Sequence, residues 1–319
     1  MAMQTAIASA QVRREPPSAT VSQSWQPAHD AGLMRARQLA GFAVASLIDE
    51  AELTPKPALV DCRGSGAHAD LDLPLMRRSA RSLLPGFVAM AGAAHASPSP
   101  RPTQWLRESL AKIGRGAEIA MLEVTRGSNA HRGAIWVLGL LVGSAALAGS
   151  RNPALVAALG ADIARIEDRF APHRPSNGER VLRQYGGRGA RGQAEDGFPH
   201  VVGVALPALR AARRNAQSET TARLDALLAV MATLDDTCLL HRGGERALSV
   251  AQAGARDALS AGGSSTPDGH RRLLELDASL LSLNASPGGA ADLLAAALFL
   301  DRLERADGGP VPPLHEWKA

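Results

Sequence analysis

The stretch GAIWVLGLLVGSAALAG at residues 133–149 contains no charged side chain, and reading it decides the fold. It is a little short for a bilayer span. Gly133, Gly139, Gly143 and Gly149 lower its hydrophobicity, and Arg151-Asn152-Pro153 stops it at once. A helix buried on all sides within a soluble protein is therefore expected, with Gly139 and Gly143 spaced for close approach of neighbouring helices.

The rest of the chain supports helices around that centre. It has 319 residues, 45% of them hydrophobic but only 3% aromatic, so the core must be built from Ala, Leu and Val. Strands favour the β-branched and aromatic residues that are scarce here, and no alternating stretch is found. Helices are predicted at about 31–53, 74–95, 103–124, 133–149, 153–169, 198–214, 218–240, 244–260, 267–283 and 287–305, with Pro85-Gly86 a possible break in the second. The fold class expected is all-α, a single helical catalytic domain over 29–306, with a flexible N-terminal tail at 1–28 and a C-terminal tail at 307–319.

The formal charge is 35 − 31 = +4 and only Lys56, Lys112 and Lys318 are lysines. No basic run marks a polyanion-binding arm, so neither nucleic acid nor a membrane is an expected partner. Cys62 and Cys238 fit neither a metal spacing nor a disulfide framework and are expected to be reduced, partly buried thiols. With no secretory signal pattern at the start, a cytoplasmic location is expected.

Against this background five polar clusters stand out, mostly in loops or at helix starts, where function concentrates. The first is Thr54-Pro55-Lys56-Pro57. The second, Gly64 to Asp72, delivers His68, Asp70 and Asp72 just before Pro74, hard ligands suited to magnesium and phosphate, although Asp72 could equally cap a helix. In the third, Asn129, His131 and Arg132 stand at the entrance of the uncharged helix, where N–H groups and the dipole favour an anion; Asn129 as a cap is the alternative. In the fourth, Asp235 and Asp236 follow the apolar run 224–234. They should lie late in a helix, against its dipole, which a bound cation would explain, with His241 and Arg242 returning nearby. The fifth, Ser286-Pro287-Gly288-Gly289 with Asp292, reads as an anion-binding helix start or a capped turn.

In this order, over residues 30–305, the clusters resemble the ATP:dephospho-CoA triphosphoribosyltransferase family. The matching patterns are Glu52-Leu53-Thr54-Pro55-Lys56-Pro57, the Gly-x-His-x-Asp-x-Asp run from Gly66 to Asp72, and Asn129-Ala130-His131-Arg132-Gly133. They continue with Tyr185-Gly186, Gly197-Phe198-Pro199, Asp235 to Gly244 and Ser286 to Leu300. The form of residues 236–244 looks most like the branch that serves malonate decarboxylase. Ala58, Ala130, Cys238 and Ala290 depart from the pattern, which usually has Gly, Thr, Asn and Ser there.

The resemblance implies that ATP donates its triphosphoribosyl unit to the ribose 2′-hydroxyl of 3′-dephospho-CoA, with adenine leaving and magnesium as cofactor. The product would pass to the acyl-carrier subunit of malonate decarboxylase. On this basis Asp70, Asp72, Asp235, Asp236 and Asp292 are assigned to metal and triphosphate. Lys56, Arg132 and Arg242 are assigned to phosphate charge, and Asn129, His241, Gly288 and Gly289 to substrate. His68, His131 and Asp70 are the catalytic candidates, and the five clusters should converge in one cleft. The alternatives are a metal-dependent hydrolase of nucleotide or ADP-ribosyl glycosidic bonds and a non-catalytic helical adaptor.

Overall fold

A computed structural model describes residues 25–172, 177–186 and 188–306, so most of the predicted tails lies outside the described residues. The described part is helical: α1 (Trp25–Glu52), α2 (Leu73–Ser82), α3 (Leu84–His95), α4 (Gln104–Val124), α5 (Arg132–Ala148), α6 (Pro153–Arg165) and α7 (Asn177–Tyr185). There follow α8 (Gly189–Glu195), a π-helical turn (Val201–Ala205), α9 (Leu206–Arg214), α10 (Glu219–Met231), α11 (Thr237–Ser260), α12 (Pro267–Ser282) and α13 (Gly288–Arg305). No strand occurs among the described residues; a lone bridge pairs Asp61 with Gly64 in the loop after α1.

The uncharged stretch is α5, buried from Ala134 to Ala146 apart from Trp136, which is partly exposed. It packs against α1, α3, α4, α6, α8 and α13. Its glycines admit neighbours: a Cβ on Gly139 would meet Met90 Sδ of α3 at 2.8 Å, and one on Gly143 would meet Leu110 Cδ1 of α4 at 2.9 Å. Gly149 ends α5 in the left-handed conformation, with φ of 58°. α13 is the second inner helix, buried over most of its length from Ala290 to Leu303. No single helix among the described residues is long and apolar enough to cross a membrane.

Several boundaries differ from expectation for local reasons. Leu83 ends α2 and opens α3, because Pro85 in the first turn of α3 supplies no N–H to continue the earlier ladder. The predicted helix 218–240 is two helices: α10 stops at Met231, and Asp236 caps a new start. α11 is bent at Gly244, whose φ of 63° and ψ of −160° are not helical. α7 and α8, rich in Arg and Gly, fall where no helix was expected. Helix α1 already runs at Trp25, within the segment expected to be a tail.

Candidate active site

The loop between α1 and α2 is held by its own small core of Ala51, Val60, Leu71 and Met76 and is tied down at several points. Asp61 accepts from the Lys56 amide at 2.9 Å and from the Arg63 side chain at 2.9 Å. Arg63 also pairs with Asp277 of α12 at 2.7 Å. Gly66 is obligatory, since a Cβ there would lie 2.4 Å from the Ala58 carbonyl oxygen. Ala58 itself holds a φ of 53°, the conformation a glycine takes without strain.

This frame delivers Lys56 and His68. Lys56 is 2% exposed and donates to Glu50 Oε1 at 2.5 Å and to the Glu50 carbonyl at 2.7 Å. A phosphate role for Lys56 would have to compete with that buried pair. His68 Nδ1 faces Arg242 Nη2 at 3.1 Å, and its Nε2 faces Ser286 Oγ at 3.0 Å. A guanidinium only donates, so Nδ1 is the acceptor and Nε2–H donates to the serine. Burial, reinforced by Arg242, lowers the His68 pKa to about 4, so the ring is neutral. Asp70 is exposed at the rim, 3.9 Å from Nδ1.

His131 stands at the start of α5, 3% exposed, with Nδ1 2.7 Å from Ser79 Oγ of α2. Its Nε2 is buried and has no partner. Burial first, and then Lys56, lowers its pKa to about 3. One residue on, Arg132 leaves in another direction and pairs with Glu118 of α4. Two residues on, Gly133 has no room for a side chain, because a Cβ would lie 2.0 Å from Asp292 Oδ2.

The acidic residues do not form the single ligand set expected. Asp72 caps α2, accepting from the Leu75 amide at 2.7 Å. Asp236 lies before α11, not late in a helix, and its charge favours the dipole instead of opposing it. It accepts from the amides of Cys238 at 2.8 Å, Gly289 at 3.2 Å and Ala290 at 2.9 Å, so the open helix start expected at Gly288-Gly289 is filled by a carboxylate of the chain itself. Asp235 is exposed and neighbours Gln252 at 3.5 Å. Asn129, two residues before the N-cap His131, accepts from the Arg132 amide at 3.1 Å at the start of α5, and His241 is exposed in the second turn of α11. Cys62 is exposed instead of partly buried.

What does converge is a smaller constellation: Glu50, Lys56, His68, His131, Asp236, Arg242, Ser286 and Asp292. Lys56 acts electrostatically on both histidines, and Glu50 and Asp236 act on Asp292. Burial, then Glu50, then Asp236 raise the Asp292 pKa well above the carboxylate range, against one amide bond from Ala134. A carboxyl group held neutral by burial and by neighbouring carboxylates is one that a hard divalent ion would ionise. Among the described residues no three acidic, histidine or cysteine side chains could hold a metal alone. Asp292 is the carboxyl group of this set that could hold a magnesium ion shared with substrate phosphates.

Glu50 and Ser79 were not anticipated. The available signal for Glu50 was its place on the stripe of α1 that includes Leu39, Ala43 and Leu47, all buried, where a charge needs a partner.

Residues 36–311 match the family described as ATP:dephospho-CoA triphosphoribosyl transferase. The chain belongs to that family. It is an enzyme, a pentosyltransferase. It is 55% identical over 277 residues to the probable 2-(5''-triphosphoribosyl)-3'-dephosphocoenzyme-A synthase of Stutzerimonas stutzeri, covering 86% of this chain and 95% of that one. The proteins of the same description from Azotobacter vinelandii and Pseudomonas paraeruginosa are 56% and 58% identical, covering 88% and 85% of this chain and 96% and 92% of theirs. No solved structure matches. Two of the family departures, Cys238 and Ala290, meet Asp236 through backbone amides, contacts that any non-proline residue can make.

Proposed function

We propose that the enzyme transfers the 5-triphosphoribosyl group of ATP to the 2′-hydroxyl of 3′-dephospho-CoA and releases adenine. The observation that carries this reading is the meeting of two neutral histidines, His131 buried and His68 half-buried, with the buried carboxyl groups of Asp236 and Asp292 at the junction of loop 53–72, α5, α11 and α13. In the transfer the ribose–adenine bond breaks and the new bond to the acceptor oxygen forms; the hydroxyl gives up one proton and adenine takes one up. His131 Nε2, the ring nitrogen without a protein partner, is the group that can exchange that proton. His68, with both nitrogens engaged, holds Arg242 and Ser286 in position.

Positive charge develops on the ribose as the bond breaks, and Asp70 at the rim is the carboxylate suited to stabilise it. Arg242 is better suited to phosphate than Lys56, which Glu50 already neutralises. Magnesium, when bound, supplies charge neutralisation for the triphosphate, with Asp292 as its protein ligand. The form of residues 236–244 favours a product destined for the acyl-carrier subunit of malonate decarboxylase, and a cytoplasmic site of action accords with that role. Incubation with ATP and magnesium, with and without dephospho-CoA, tests the reading. Adenine that depends on acceptor supports it, acceptor-independent product indicates a hydrolase instead, and turnover undiminished in excess EDTA removes the metal from it.

A further inference from the structure

Beside this constellation, a cavity of about 190 Å³ opens between α3, α4 and α5. Its floor is apolar, with Met90, Leu110, Ile135 and Leu140 among its lining residues, and three arginines, Arg107, Arg115 and Arg132, reach it from α4 and α5. Arg115 is neutralised by Asp168 at 2.7 Å, and Arg132 by Glu118. Arg107 forms no salt bridge among the described residues. It is only 8% exposed, lies over the Trp136 ring at 5.1 Å and donates from Nε to the Ile166 carbonyl at 3.1 Å, with Asp168 and Glu108 acting on it only through space. A nearly buried guanidinium whose carboxylates stand off at a distance keeps donors for an incoming anion. Arg132 Nε is likewise buried without a partner.

The cavity adjoins the constellation through consecutive residues: His131 turns to Ser79 and Arg132 lines the cavity. A ligand that spans both needs an anionic group one short step from its reacting hydroxyl, followed by an apolar segment. ATP has no apolar segment after its phosphates. Dephospho-CoA has both features, since its 5′-diphosphate leads directly to a pantoyl unit bearing two methyl groups. We propose that this cavity is the acceptor subsite, with the diphosphate of dephospho-CoA against Arg107 and Arg132 and the pantoyl methyls on the apolar floor. The proposal rests on the acceptor assigned under the proposed function.

The test is calorimetric binding of dephospho-CoA and of ADP, which keeps the nucleoside diphosphate and lacks the pantoyl arm. Wild type should bind dephospho-CoA about tenfold tighter than ADP. Ala111→Leu, which fills the cavity from its partly exposed wall, should erase that difference and leave ADP binding intact. Arg107→Gln should weaken both ligands about tenfold and leave the KM for ATP unchanged. Equal wild-type affinity for the two ligands, or an unchanged preference in Ala111→Leu, overturns the subsite. If either variant fails to fold by circular dichroism, competition on wild type decides: 4′-phosphopantetheine should displace dephospho-CoA and not ATP, and displacement of ATP, or of neither, refutes the assignment. Absence of product from wild type with intact discrimination in binding would defeat the proposed reaction and leave the subsite standing.

Discussion

Asp236 and Ala290, 54 residues apart in the chain, are joined by a 2.9 Å hydrogen bond from the alanine amide to Oδ2. Through it and the Cys238 amide at 2.8 Å, one carboxylate caps α11 and α13 together. Replacing Asp236 by Ala leaves these amides unsatisfied and should cost about 2–4 kcal/mol of stability, measured by urea unfolding. Asp236→Asn, which keeps an acceptor, should cost less than half of that. Equal stability of wild type and Asp236→Ala would remove the capping role.

Asp292 should behave in the opposite way. Its buried carboxyl is disfavoured as a charge, so Asp292→Asn should be at least as stable as wild type without magnesium, while turnover falls by about a hundredfold or more. Gly133→Ala, which drives a methyl into the Asp292 carboxylate, should show a similar loss of turnover. Normal turnover in Asp292→Asn would take this residue out of the site.

The pH dependence has two parts of opposite sign. Asp292 has a raised pKa, so the folded chain holds a proton that the unfolded chain has lost; stability from this group is greatest below the ordinary carboxylate range and declines as pH rises through the raised value. His131 is lowered from 6.5 to about 3, so its contribution is complete above 6.5 and is lost as pH falls toward 3. His131→Gln should therefore lose less stability than wild type between pH 7 and pH 5, and Asp292→Asn should lose less on going from pH 5 to pH 8 without metal. Parallel stability curves for all three proteins would contradict both assignments.

Asp72 and Asp235 provide the contrast. Asp235→Asn alters an exposed side chain, and Asp72→Asn keeps a competent cap, so each should retain turnover within about twofold of wild type. A large loss in either would return that aspartate to the phosphate or metal site. Asp225 is no neutral control for such a comparison: it is buried and accepts from the Ser264 amide at 2.6 Å.

The helices most legible in the sequence were those with a cap and a proline at the start, as at Asn152-Pro153 and Thr266-Pro267, and α5 with its uncharged length. The break after Met231 was not legible, because residues 232–235 contain no glycine or proline and one of the amides that hold the Asp236 cap belongs to distant Ala290. The same long-range pairing hid the site's internal order. Sequence reading found His68, His131 and Asp292 by residue type, but could not tell capping carboxylates from free ones. Nor could it find Glu50, whose role depends on Lys56 folding back over the end of α1.

The position of α5 has an implication for how this enzyme tolerates change. His131 at its start serves the polar constellation, Arg132 beside it lines the cavity, and the helix behind them is enclosed by neighbours on almost every side. A helix so enclosed has no soft direction in which to absorb a misfit, so an altered side chain near Gly143 or Leu141 would be transmitted lengthwise to the reacting end. With the substrates placed as proposed, their alignment is governed from the interior, and substitutions far from either of them should uncouple ATP use from acceptor use.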